Sequence, residues 1–214
     1  MNTLTLKAFI MAALCQLFTI HASAADPLNI VIIGQSNAYF LADAPSGIQE
    51  RFAQEGLEVN IIKCAKGGTP IAQFQQNWAA WSIYGKCMQD IAGRQVDGVI
   101  FWQGEADSKT KSGPVLWARD FTRLISALRA DLNNPRLPVV MAMLNGRTHA
   151  YAAWWITMRM AQSQVFAPNL IHIDTNNALF QDDDVHLTPD GYHLIGRDFA
   201  EALLPMLQAP LGTK

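Results

Sequence analysis

Five apolar runs recur along the chain: LNIVIIG (28–34), LEVNIIK (57–63), DGVIFWQ (97–103), LPVVMAML (137–144) and NLIHIDT (169–175). Each is short, rich in Val and Ile and nearly continuous, the pattern of strands covered on both faces. Start and stop signals between them predict helices over 46–55, closed by Gly56, over 71–80, and over 114–132, entered through Ser112-Gly113-Pro114. Two more are predicted over 150–166, ended before Pro168, and 189–206, started by Thr188-Pro189. Strand and helix alternate throughout, which predicts an α/β fold: a three-layer sandwich around a five-stranded parallel sheet with right-handed crossovers.

The first 24 residues do not belong to that pattern. Lys7 precedes the apolar run AFIMAALCQLFTI, and Ala22-Ser23-Ala24 supplies the small residues of a signal-peptidase site before Ala25. The run is short for a transmembrane helix, and no later window is long and apolar enough to be one. The expectation is a cleaved signal peptide (1–24), a single domain (25–214) and export to a periplasm or the cell exterior. A lipoprotein anchor at Cys15 is disfavoured because Leu14 stands where such sites carry a small residue. The whole chain has 16 basic and 18 acidic side chains, a net charge of −2, scattered along its length. No clustered basic face is visible in the sequence, so no nucleic-acid partner is expected. Beyond the signal, Cys64 and Cys87 remain. In an oxidising compartment they can form a disulfide, while two separate buried thiols are the alternative.

In open parallel sheets ligands bind beyond the carboxyl ends of the strands. The segments to inspect are therefore Gly34–Ala38, Cys64–Pro70, Gln103–Asp107, Asn145–His149 and Thr175–His186. Ser36 follows the first strand and, alone, reads as a turn or helix cap. A serine hydroxyl becomes a nucleophile when a base takes its proton and a third group orients that base. The segment QDDDVH offers both, His186 as base and Asp183, three residues earlier, as the acid that folds back onto it. Asp182 is a solvated alternative to Asp183, and His149 stays open as a rival base, whereas His172 lies in a strand and His193 in the last helix. Carboxylates beside a histidine can also hold a metal, but no second His or Cys pairs with these at ligand spacing, so no metal is expected. Oxyanion donors are offered by the glycines of AKGGTP (65–70), with Gly68 favoured over Gly67, and by the Gln103 amide in WQGEAD (102–107).

Together Gly-Gln-Ser-Asn (34–37), Gly-Gly-Thr (67–69), Trp-Gln-Gly-Glu (102–105) and Asp-x-x-His (183–186) resemble the ordered blocks of the SGNH (GDSL-like) hydrolase superfamily. They are similar in particular to its sialate O-acetylesterase and acetylxylan esterase branch, carbohydrate esterase family 6. The resemblance implies a flavodoxin-like three-layer fold, Ser36 as nucleophile, His186 as base and Asp183 as orienter. It also implies an oxyanion hole from the Ser36 N–H, a glycine N–H of the second block and Gln103, with no cofactor. The expected activity is removal of acetyl or other small acyl groups from a carbohydrate. The alternatives are a broader lipase or thioesterase-type hydrolase and a non-catalytic glycan-binding protein on the same fold. Asn37, Glu105 and Arg147 are the expected substrate contacts, with Arg147 and His149 placed to meet an acidic sugar or leaving group. Trp78, Trp81, Trp154 and Trp155 either stack on a sugar or pack in the core. An α/β-hydrolase is disfavoured, because its Gly-x-Ser-x-Gly elbow is missing and the acid and base here share one short segment.

Overall fold

In the computed structural model, residues 26–147 and 152–208 are described; the expected signal peptide and His149 lie outside them. Five parallel strands, β1 (Leu28–Gly34), β2 (Val59–Ala65), β3 (Gly98–Trp102), β4 (Val139–Ala142) and β5 (Leu170–Ile173), form one sheet in the order β2-β1-β3-β4-β5. This is the flavodoxin-like order, with its switch point between β1 and β3. Among the described residues six α-helices cover the sheet, five between strands and the last after β5: α1 (Ser36–Asp43), α2 (Ser46–Ala53), α3 (Ile83–Ile91), α4 (Gly113–Asp131), α5 (Trp155–Ser163) and α6 (Pro189–Gln208).

The continuous apolar runs are explained by the layers. Successive strand side chains point to opposite faces. Val31, Ile33, Val99, Phe101, Val139 and Met141 pack with apolar residues of α3, α4 and α5. Ile30, Ile32, Ile100, Trp102, Val140 and Ala142 pack with α1, α2 and α6 on the other face. A polar residue at any of these central positions would be buried without water. Strands β2 and β5 lie at the edges and are correspondingly less covered.

Three local differences from the sequence-based expectation bear on the site. Strand β2 starts two residues later than expected and so carries Cys64 in the sheet, beside Ile33 of β1. The helix expected over 71–80 is only a 3₁₀ turn at Ile71–Phe74, and the true helix α3 begins after Ser82, whose hydroxyl accepts from the Gly85 N–H at 2.9 Å. That N-cap, followed by apolar residues at 83, 84, 87, 88 and 91, was the available signal. Helix α1 begins at Ser36 itself, immediately beyond Gly34, whose φ is +147°. A Cβ at Gly34 would stand 1.9 Å from the Trp102 carbonyl oxygen, so only glycine lets β1 turn this close to β3.

Cys64 and Cys87 are joined by a disulfide that ties β2 to α3 across 23 residues of chain. In the chain-entropy account a loop of that length stabilises the fold by about 3 kcal/mol. A Cys64→Ala, Cys87→Ala variant should therefore melt lower by roughly 6–12 °C, read by calorimetry without reductant. An unchanged midpoint would show that the bond contributes nothing to stability.

Candidate active site

Ser36, His186 and Asp183 meet at the carboxyl edge of the sheet, where sequence reasoning placed them. Ser36 is the first residue of α1, and the His186 Nε2 lies 2.9 Å from its Oγ. The His186 Nδ1 lies 2.6 Å from Asp183 Oδ2. The other Asp183 oxygen accepts the backbone N–H groups of Val185 and His186 at 2.9 and 2.8 Å. The short turn thus folds the carboxylate back onto its own histidine. Burial alone would raise the Asp183 pKa; the two N–H donors and the imidazole outweigh it and hold the carboxyl below its ordinary value. Its contribution to stability is therefore present above the ordinary carboxylate range and is lost as pH falls through the depressed value. An ionised Asp183 accepts from Nδ1–H, which leaves Nε2 bare toward the serine hydroxyl.

Among the described residues no other histidine approaches Ser36. His193 bonds to Ser46 and Glu50 on the α2–α6 face, and His172 sits on β5. Phe40, one turn beyond Ser36 on α1, lays its ring edge-on to His186 at 5.6 Å between centroids. The i, i+4 spacing from Ser36 was the sequence signal for it.

Asn37 and Glu105 take a different place from the expected one. Both are buried, at 2% and 1% exposure, and neither faces the opening as a substrate contact. The Asn37 amide donates to Glu105 Oε1 at 2.8 Å and to the Val185 carbonyl at 3.0 Å, while its own oxygen accepts from the Tyr192 hydroxyl at 2.7 Å. One side chain thereby fastens α1 to the Gln103–Asp107 loop, to the histidine loop and to α6. Tyr192, which sequence reasoning missed, was legible only as a phenol inside an apolar helix face. Among the described residues Glu105 Oε2 has no partner, and burial raises the Glu105 pKa, with the Asn37 bond and the His186 charge acting in the opposite direction.

Gln103 is likewise a correction. Its side chain is fully buried and its Oε1 accepts from the Trp117 indole N–H at 2.7 Å, which fixes the orientation of the amide because an indole can only donate. The amide hydrogens are taken up by Asp107 Oδ2 at 2.6 Å, the Thr69 carbonyl at 3.2 Å and Gln35 Oε1 at 3.3 Å. Gln103 therefore braces two loops against each other instead of pointing at a substrate. Asp107 completes that brace by accepting the Ile71 N–H at 2.9 Å. Gln35 Oε1 also accepts the Ala106 N–H at 3.0 Å, and Gln162 ties the Gln103 carbonyl to the Leu144 N–H.

The donors that remain are backbone groups. Ser36 is the first residue of α1, so its N–H has no partner within the helix, and among the described residues it donates to no other protein acceptor. Gly67 lies against the serine: a Cβ built on it would be 4.0 Å from Ser36 Cβ. Gly68 follows in the left-handed region with φ +65° and open space around it. Among the described residues neither glycine N–H donates to a protein acceptor. Arg147, exposed, pairs with Asp184 of the histidine loop and covers the Phe180 ring at 5.2 Å. Trp155 is buried with its N–H on the Asn145 carbonyl, Trp154 is half-buried, and Trp78 and Trp81 are exposed. No group of three or more His, Cys, Asp or Glu suited to a metal ion occurs among the described residues.

The strand order β2-β1-β3-β4-β5, a serine opening the helix after β1 and an acid and base three residues apart fit an SGNH-type hydrolase fold. The family model for carbohydrate esterases described as sialic acid-specific acetylesterases matches residues 21–205, and the chain belongs to that family. The Arabidopsis thaliana protein named probable carbohydrate esterase At4g34215 is 25% identical over 162 residues, covering 74% of this chain and 60% of that protein. Its crystal structure superposes with a TM-score of 0.62. The novel carbohydrate acetylesterase XAC1771 of Xanthomonas citri shares the fold with a TM-score of 0.66 at 19% identity, over 81% of this chain and 55% of that one. A family 3 carbohydrate esterase of Clostridium thermocellum does so at 0.57 and 15%, over 87% and 100%. This chain thus spans less than two thirds of the first two proteins' length.

The unpaired Glu105 oxygen has a pH signature. Because the folded pKa is raised, ionisation opposes folding increasingly as pH rises from the ordinary carboxylate range through the folded value. Glu105→Gln keeps the acceptor for Asn37 and removes the charge. Its melting temperature relative to the parent should rise between pH 4 and pH 8 (~1–2 kcal/mol for relief of one unsatisfied buried group), while Glu105→Ala loses stability at both. A Glu105→Gln difference that is the same at both pH values would refute the raised pKa.

Proposed function

We propose that this chain is an exported carbohydrate O-acetylesterase that works through Ser36, His186 and Asp183. The observation that carries the reading is the unbroken chain of bonds from Asp183 through His186 to Ser36 Oγ. Family membership supports a carbohydrate ester as the substrate. Export is supported by the secretory pattern of residues 1–24 and by the Cys64–Cys87 bond, since disulfides persist in oxidising compartments.

In the proposed reaction Ser36 Oγ attacks the acetyl carbonyl carbon as its proton passes to His186 Nε2. Asp183 stabilises the resulting imidazolium and keeps Nδ1 protonated. The tetrahedral oxyanion is met by the free Ser36 N–H at the start of α1 and by the Gly67–Gly68 backbone, both preorganised by loops bonded to one another. Collapse returns the proton from His186 to the departing sugar oxygen and leaves acetyl-Ser36. Water, deprotonated by the same imidazole, then releases acetate and restores the serine. Each step moves a proton between Ser36, His186 and the leaving or entering oxygen, and none needs a cofactor.

Ser36→Ala should lower turnover of p-nitrophenyl acetate by roughly 10⁴-fold or more, and Asp183→Asn by up to about 10⁴-fold. Unchanged turnover in Ser36→Ala would exclude the serine mechanism. Acetate release from acetylated xylan and O-acetylated sialic acid, compared with p-nitrophenyl esters of growing acyl length, tests the substrate class. Preference for long acyl chains would point instead to a lipase-type hydrolase.

A further inference from the structure

Resting on the esterase reading above, we propose that the groove along the free edge of β2 holds a carboxylate-bearing oligosaccharide, the chain from which the acetyl group is taken. The groove encloses about 710 Å³ between the exposed side of β2, Tyr39 of α1 and the α3 segment. Four cations line it, Lys63, Lys66, Lys86 and Arg94, against one carboxylate, Asp90. That concentration stands out in a chain whose net charge is −2. Lys63 is already occupied: it pairs with Asp43 at 2.6 Å and lies 3.9 Å from the Tyr39 ring centroid. A lysine on an edge strand also discourages pairing with another strand, which accounts for Lys63 without any ligand.

That explanation does not extend to the other three. Lys86 lies on α3, Arg94 follows it, and Lys66 lies beyond the end of β2; all are exposed, and none has a carboxylate within ion-pair distance among the described residues. Trp81, 85% exposed, adds a flat apolar face to the same groove. An indole left in water beside unpaired cations suits a pyranose ring that bears a carboxylate, apolar on its C–H face and anionic at its edge. From Ile61 to Lys66 the strand edge runs roughly 16 Å, enough for several sugar units in line. The groove ends at Lys66, next to Gly67, which lies against Ser36. A glycan lying along it would deliver an acetylated unit to the serine.

The test uses the whole protein and an unacetylated oligogalacturonate, with a neutral xylo-oligosaccharide of equal length and single-stranded DNA of equal charge as comparisons. Calorimetric titration should show tighter binding of the acidic oligosaccharide than of either, weakening with added salt. The double substitution Lys86→Glu, Arg94→Glu should weaken that binding by about tenfold or more, with p-nitrophenyl acetate turnover and melting temperature unchanged. Trp81→Ala should weaken both sugars and leave turnover intact. Equal affinity for the neutral sugar, equal affinity for DNA, no binding of the acidic sugar, or an unaffected double variant would each overturn the proposal. Absence of p-nitrophenyl acetate turnover with acidic-sugar binding retained would instead refute the esterase reading alone.

Discussion

Ser36 and His186 are 150 residues apart in the chain, and the 2.9 Å between them depends on how Asn37 is bonded. Its amide reaches the Val185 carbonyl, directly before the histidine, and the Glu105 carboxylate, while Tyr192 of α6 donates to its oxygen. The residue after the serine therefore grips the residue before the histidine. The same loop is held from two further sides, by Asn145 donating to the Asp184 carbonyl and by the Leu187 N–H donating to the Tyr192 hydroxyl of α6.

The same logic of buried amides extends outward. Gln35 and Gln162 bond to neighbouring loop backbone, Gln35 and Gln103 bond to each other, and Gln103 adds Asp107, Trp117 and the Thr69 carbonyl. A buried amide left unpaired would cost more than an apolar side chain, so each one specifies a single loop arrangement. Rigid loops matter because donors aimed at a developing oxyanion are most effective when they need not move. At this site the accounting of polar groups does not close at Glu105, one of whose carboxylate oxygens is buried without a partner among the described residues and feels the His186 charge.

The sheet order sets which surfaces remain open. With β1 and β3 central, the serine emerges at the switch point between covered strands, while β2 is left with a free edge. The disulfide fastens that edge to α3, so the cationic side chains around it are carried by a constrained frame.

The amino-acid sequence by itself determined the five strands, the layer order of helices and sheet, and the meeting of Ser36, Asp183 and His186. Continuous β-branched runs are buried on both faces, and parallel strands bring their carboxyl ends to one edge wherever they stand in the chain. Asp183 and His186 were legible because three residues are a local distance. The roles of Gln103, Asn37 and Glu105 were not. A motif states which residue type is present, whereas the direction of an amide or carboxylate follows from partners such as Trp117, Asp107 and Tyr192, whose approach only the packed tertiary structure decides. Helix α3, by contrast, was legible and overlooked: Ser82 caps it through the Gly85 N–H, three residues on, so the signal was local.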